Sequence, residues 1–444
     1  MKRTCSHLHT RQRGAASLVV AMIILFGMTM VAFYANRGLL FEQKTSANQY
    51  RATSAFEVAE AGIEWATARL NEPQKIDTAC AASAVATDKT FRDKYLQHSA
   101  VASGFAPVVN AKPGCRLPAS GVPVCSCPDA ANNPNLGTAN EPSFAVGFLS
   151  VAGDPESVEI TANGCTGQGT QCVPGSSLGA SDATVRVRVI VKLLPALRSG
   201  PQAALTAGGD VALGGSVVNI INIDASTNGI TVDAGLSAAV AATQVTTLPG
   251  LPSEASVLAN DTSLSSLNAA DPTGNALFRT YFGQSMANYK ADRGTTVICD
   301  PGVVACTSGA ITCSGGPACA TAVVNAVGNA KNQLWVDAPL EFTDGNVPVS
   351  LGTANRPVLL VSPYAMTFTG SKPVYGVLFG ASQNWNVLGG GTAVVNGAVI
   401  TRDDFNSSGN LTLTYDAGVL RKLRPATGSM VRVSGSWRDF IPNL

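Results

Sequence analysis

The chain begins with a basic segment free of acids (Lys2, Arg3, Arg11, Arg13), then Gly14, then an unbroken apolar run over 15–35, AASLVVAMIILFGMTMVAFYA. As a helix rising about 1.5 Å per residue, this run is about 32 Å long, enough to cross the roughly 30 Å core of a bilayer. Lysine and arginine crowd its N-terminal side, which predicts a cytoplasmic N-terminus with the rest of the chain beyond the membrane. A secretory leader would end its apolar stretch after about 7–15 residues at a small-residue cleavage site. Here the run continues into NRGLLFEQKTSANQYRATSAFEVAEAGIEWATARLN, with no proline before Pro73. Ala52, Phe56, Ala59, Ile63, Ala66 and Leu70 recur at alternating spacings of four and three, one narrow helix face. The spacing predicts one continuous helix over 15–70, roughly 84 Å long. Its first half lies in lipid and its second half packs on a globular body.

The leader ending in Arg13-Gly14, the apolar helix and the segment AFEVAEAGIEWA (55–66) together resemble the PilX-type minor pilins of type IV pilus assembly. Ala55, Ala59, Glu60 and Ala61 carry the "A-AEA" core of that likeness. The resemblance implies that a prepilin peptidase cuts after Gly14, leaving Ala15 as the first mature residue. It also implies a place in the inner membrane with the body periplasmic, and later in the filament. The implied partners are other minor pilins, the major pilin and a tip adhesin. Two features depart from the family pattern. The aromatic that usually opens the mature chain is missing. Val19 stands where most pilins carry a glutamate, as in some PilX-type pilins and in the K-type pseudopilin of type II secretion, which resembles a filament cap. A carboxylate in lipid is costly without a partner, and a subunit with nothing above it has no use for one. The plain alternative is an unprocessed single-pass anchor carrying an ectodomain.

Cysteine usage agrees with export. Of eleven cysteines, Cys5 precedes the span, whereas Cys80, Cys115, Cys125, Cys127, Cys165, Cys172, Cys299, Cys306, Cys313 and Cys319 follow it. An even number beyond the membrane predicts disulfides formed in an oxidising periplasm. Cys165 and Cys172 bracket a Gly-rich loop and are the best single pair. Zinc is the rival reading, but there is no C-x-x-C pair and His98 is the one histidine past the span, so no metal or cofactor is expected. Charged residues make up only 13% of the chain at a net charge of +1, and no basic stripe follows the leader, which argues against a nucleic-acid partner.

Past the helix, residues 72–200 are expected to form a pilin-like α+β body. Within it, 73–143 is dominated by Pro, Asn, Ala and Cys and reads as loops pinned by disulfides. Strands are predicted at 144–151, 157–161 and 184–194. The last places Val185, Val187 and Val189 on one face and Arg186 and Arg188 on the other, a solvated one. An antiparallel sheet against the second half of the helix accounts for all three.

From 201 to 444 short β-branched runs alternate with Gly, Asn, Asp and Ser, as in 203–235 and 333–416. That texture suggests a β-solenoid-like region, with a plain sandwich as the alternative. The resemblance extends here to the phrase at 204–215, to WVD at 335–337 and to GSWRDF at 435–440. Residues 236–332 read as an inserted, disulfide-rich segment, its 275–292 part helical. Loops on a rigid scaffold are where binding varies, and decoration without a ligand is the bland alternative.

Catalytic constellations are weak. Gly175-Ser176-Ser177-Leu178-Gly179 matches G-x-S-x-G but lies in a Cys/Gly loop with only His98 as a base. Asp224 to Gly229 resembles the start of a calcium loop, yet Gly235 stands where the bidentate glutamate belongs. Arg402-Asp403-Asp404 could pair carboxylates for glycan cleavage, without a histidine or further acids nearby. Trp335 and Trp385 read as packing residues. The expectation is a structural, non-enzymatic pilus assembly protein at the filament tip, in a priming complex. Its helix would use Phe56, Ala59, Ile63, Ala66 and Leu70 for packing. The alternatives are a type II secretion pseudopilin and a membrane-anchored carbohydrate-binding or carbohydrate-active ectodomain.

Overall fold

The computed structural model describes residues 15–439 apart from 86, 99–103, 130–131, 137–140, 168–171, 173–182, 216, 272, 293, 300–315 and 388–390. The α+β architecture starts from a single helix, Ala15–Leu70. Every described side chain from Ala16 to Thr53 is exposed. Beyond that the helix turns two-faced and buries Ala55, Val58, Ala59, Gly62, Ile63, Ala66 and Leu70. This stripe is wider than the sequence periodicity predicts and rotated from it. Ala52 is exposed and Phe56 only half-buried. Small residues explain the rotation, because they let the sheet come close: a Cβ on Gly62 would stand 3.0 Å from the Phe144 ring.

That sheet runs, edge to edge, Ser429–Arg432, Thr184–Leu194, Asp154–Cys165, Ser143–Val151, Gly114–Arg116 and Val124–Ser126, all antiparallel. Val187, Val189, Val191 and Leu193 point inward with Phe144, Val146, Phe148, Val158 and Ile160 against the helix. Arg186 and Arg188 are half-buried rather than solvated. Arg186 Nε donates to Asn163 Oδ1 at 3.0 Å, and Arg188 pairs with Glu159 at 3.4 Å. The stretch expected to be loops is packed. It forms the short helix Phe91–Tyr95 and the hairpin Leu96–His98 with Phe105–Pro107, and buries Phe91, Tyr95, Leu96 and Phe105 in the same core. Cys80–Cys127, Cys115–Cys125 and Cys165–Cys172 are disulfides. The edge strand Ser429–Arg432 comes from the far end of the chain, so the first body is completed only after the region 201–428 has been laid down.

Between those limits the chain passes back and forth between an eleven-stranded and a six-stranded sheet among the described residues. Every pairing within them is parallel. Gln333–Val336, Val358–Val361, Val374–Gly380 and Thr392–Thr401 lie in the large sheet. Leu340–Phe342, Met366–Phe368, Gln383–Trp385 and Phe405–Ser407 alternate with them in the small one. Phe342, Phe368 and Trp385 fall in register inside, with ring centroids 4.8 and 3.8 Å apart. The central strands Gln333–Val336, Val358–Val361 and Val374–Gly380 are buried on both faces apart from Tyr375, as parallel strands commonly are. In VLLV, Val358 and Leu360 join the inner core, and Leu359 and Val361 join an outer one.

The order of strands is not the order of the chain. Leu205–Ala207 inserts between Val399–Thr401 and Val232–Ala234, so the first and last circuits are neighbours. The segment expected as an insertion from 236 begins inside this ladder. Ala238–Ala239, Val245–Thr246 and Val257–Leu258 extend it, although strands of two residues are too short to show a period. The helices Thr262–Ala270, Asn275–Phe282 and Met286–Ala291 then run outside the large sheet. They bury Leu277, Phe278, Phe282 and Tyr289 against Leu359, Val361, Val377 and Phe379. Cys299 bonds to Cys319; Cys306 and Cys313 lie outside the described residues.

Gly376 and Gly397 pair in register at φ +138° and +141°. A Cβ on Gly397 would overlap the Gly376 carbonyl oxygen and stand 2.8 Å from its carbon. Gly397→Ala is therefore expected to destabilise the fold by about 2–4 kcal/mol, read from the urea midpoint. A change below about 1 kcal/mol would show that the sheet yields there.

Candidate membrane and filament interface

The exposed half of Ala15–Leu70 is apolar around its whole circumference: Leu18, Met22, Phe26 and Phe33 are each more than 60% exposed. A helix greasy on all sides needs an apolar solvent or other helices around it. Within it, Thr29 Oγ1 donates to Phe26 O at 2.8 Å. At the end of the run the Arg37 guanidinium lies over the Phe41 ring at 5.8 Å, and the polar segment follows. Val19 is exposed within the apolar surface. Ala15 opens the helix; Gly14 lies outside the described residues.

The second half is held from three sides. Ala59, Ile63, Ala66 and Leu70 press on the sheet. Gly164 permits the contact, because a Cβ there would overlap Ala55 O and Ala59 N and stand 2.9 Å from Ala59 Cα. The end of the chain clamps the outer side. Trp437 meets Phe56 edge-on at 5.9 Å, Arg432 pairs with Glu64 at 2.6 Å, and Asn71 exchanges hydrogen bonds with the Met430 backbone at 2.6 and 2.9 Å. Ser436 and Arg438 tie that segment to Ile190 and Arg188. Glu57, Glu60 and Glu64 line the exposed face of this half.

Arg92 closes the lower end of the helix. It is buried and donates to Leu70 O (2.8 Å), Gly428 O (2.9 Å), Asn71 Oδ1 (3.3 Å) and Pro425 O (3.4 Å). Leu70 ends the long helix and Pro425 lies in the last turn of Ala417–Ala426, so two helix C-termini with their partial negative charge face one guanidinium. Burial pulls its pKa down to about 10, which still leaves it charged at neutral pH. Beside it, Asp93 pairs with Arg356 of the parallel region at 2.9 Å. The adjoining cavity is about 60 Å³, room for water rather than an organic substrate. Neither Arg92 nor Gly164 was singled out in the sequence. Their local signals are a charge set among aromatics in FRDKY and a glycine near the end of a strand.

The weak catalytic motifs dissolve into structural bonds. Arg402 pairs with its neighbour Asp403 at 2.5 Å, and Asp404 accepts from the Asp210 N–H at 2.9 Å. Asp224 caps a single 3-10 turn, Ala225–Thr227, with Asn228 left-handed after it. Trp385 is stacked in the inner core and Trp335 packs in the outer one. Residues 175–179 lie outside the described residues. Among the described residues no group of three or more His, Cys, Asp or Glu side chains could hold a metal ion.

A model of the PilX N-terminal family matches residues 13–64. No curated protein matches the chain. Among solved structures, the crystal structure of the competence-associated pilin ComZ from Thermus thermophilus shares 11% identity over 86% of this chain and 95% of that one, at a TM-score of 0.19. At that score nothing about this chain follows from the likeness.

Proposed function

We propose that this chain, which carries the N-terminal helix of a PilX-type minor pilin, acts at the filament tip as a structural subunit of a priming complex in type IV pilus assembly. The observation that carries the proposal is the division of Ala15–Leu70. One half offers only apolar surface, and the other is bolted to a folded body by sheet, chain end and Arg92. Such a helix first moors the subunit in the inner membrane, with the leader cytoplasmic and the body periplasmic. It then slides into a bundle of like helices when the subunit is extracted. The four disulfides among the described residues, all beyond the span, suit an oxidising compartment. Val19 in place of a carboxylate suits a subunit that caps a stack rather than one in its middle. Side chains here pack and position; none is assigned a reaction.

Val19 also favours a second reading, a pseudopilin of type II secretion. Two measurements test the proposal, and the second separates the readings. Intact mass of the native protein should show a chain starting at Ala15, and deletion of the gene should abolish pili and twitching while leaving secretion intact. A native chain that still begins at Met1, or a deletion strain with normal pili, overturns the proposal. Lost secretion with normal pili selects the pseudopilin.

A further inference from the structure

The seam between the parallel sheets and their helical cover holds two carboxyl groups side by side. Asp233 sits mid-strand in Val232–Ala234, in register with Thr206 on one side and Leu258 on the other. The chain leaves the ladder after Val257–Leu258 at Asn260 and Asp261, whose N–H groups donate back to Leu236 O (2.7 Å) and Ala234 O (2.9 Å). Those bonds return Asp261 to the neighbourhood of Asp233. Asp261 caps the first cover helix, its Oδ1 accepting from the Ser263 N–H at 2.7 Å. Asp233 Oδ1 is enclosed and has no hydrogen-bond partner. An ionised oxygen in that position is costly, and a second carboxylate beside it adds to the cost. A single proton relieves both groups: protonated Asp233 donates to Asp261, whose charge stays matched to the helix start. Among the described residues, Tyr281, from Asn275–Phe282, is another titratable group near the pair and feels the charge of both carboxylates. Arg402, from the neighbouring strand end, is engaged with Asp403.

We propose that Asp233 and Asp261 form a proton-sharing clasp that fastens the helical cover, 262–291, to the parallel sheets in mild acid and slackens when the proton leaves. Burial, then the charge of Asp261, pushes the Asp233 carboxyl up to about 6. Hydrogen bonds from Ser263 hold Asp261 below the usual carboxylate range. The folded chain thus binds the proton more tightly than the unfolded one, so stability falls as pH rises from the ordinary value of 3.8 through about 6 and levels off above. What slackens is the lid over Phe379 and Ile400, the apolar outer face of the large sheet.

Hydrogen exchange on the full chain in detergent micelles tests the clasp. Protection factors over 262–282 should rise about tenfold between about pH 7.5 and about pH 5, since one pKa unit is a factor of ten. Asp233→Asn keeps the shape and donates at every pH, so it should respond flatly, whereas Asp261→Asn keeps the helix cap but leaves Asp233 buried, so it should show a smaller rise than the wild type. Three results overturn the clasp: no wild-type rise, a rise that Asp233→Asn retains or Asp261→Asn leaves undiminished, or a rise spread evenly along the chain.

Discussion

Leucine at position 164 is expected to unseat the long helix from its sheet while leaving it in the membrane. The backbone of Asp154–Cys165 comes so close to Ala55 and Ala59 that the helix has no room for any side chain between them. The obstacles are backbone atoms of two regular elements, so they cannot rotate away as a flexible side chain could. Overpacking of a core costs about 1–3 kcal/mol where neighbours adjust, and here the expected loss lies at or above the top of that range. Full-length Gly164→Leu in detergent should show a lowered urea midpoint and new tryptic cleavage at Arg51 and Arg69. Gly200→Leu, at an exposed position with nothing within 4 Å of its Cβ, serves as the control and should match the wild type. If Gly164→Leu unfolds and cleaves like the control, the close approach is not what holds the helix.

The same residues show what the sequence reveals and what it conceals. The span and the alternation Val185, Val187, Val189 repeat over enough residues to establish a period, and both elements form as that period requires. The helix stripe was legible in type, with Ala59, Ile63, Ala66 and Leu70 in place, but its extension to Ala55 and Gly62 was not, because alanine and glycine carry almost no hydrophobic signal. Residues 73–143 looked like loops because their strands are two or three residues long, and their order comes from Phe91, Tyr95 and two disulfides. Ala238–Ala239 fails for the same reason: it is a strand only because Val211–Leu213 already stands beside it. No local pattern could announce that Ser429–Arg432 completes a sheet begun near residue 114, since strand pairing at that range is a property of the folded whole.

That long-range closure makes Arg92 the side chain whose loss should be felt most widely. Arg92→Met keeps most of the volume and removes every donor at once. It leaves the carbonyls of Leu70, Pro425 and Gly428 facing one another in a buried site, with no hydrogen from the side chain that now separates them. Each unsatisfied carbonyl costs about 1–3 kcal/mol, and two of the three already carry the negative end of a helix. A total of about 3–5 kcal/mol is therefore expected, the range seen when one partner of a buried charge is removed. Lysine should recover only part of it, because a single ammonium cannot reach in three directions as the planar fork does. The distribution of the damage is as informative as its size. Asn71 shares Arg92 Nη2 and also holds Met430, so exchange protection should fall together at the end of the long helix and along Ser429–Arg432. The inner core around Phe368 and Trp385 should keep its protection. A loss below about 1 kcal/mol, or one felt equally in that inner core, would mean that Arg92 is not the joint between the antiparallel body and the parallel region.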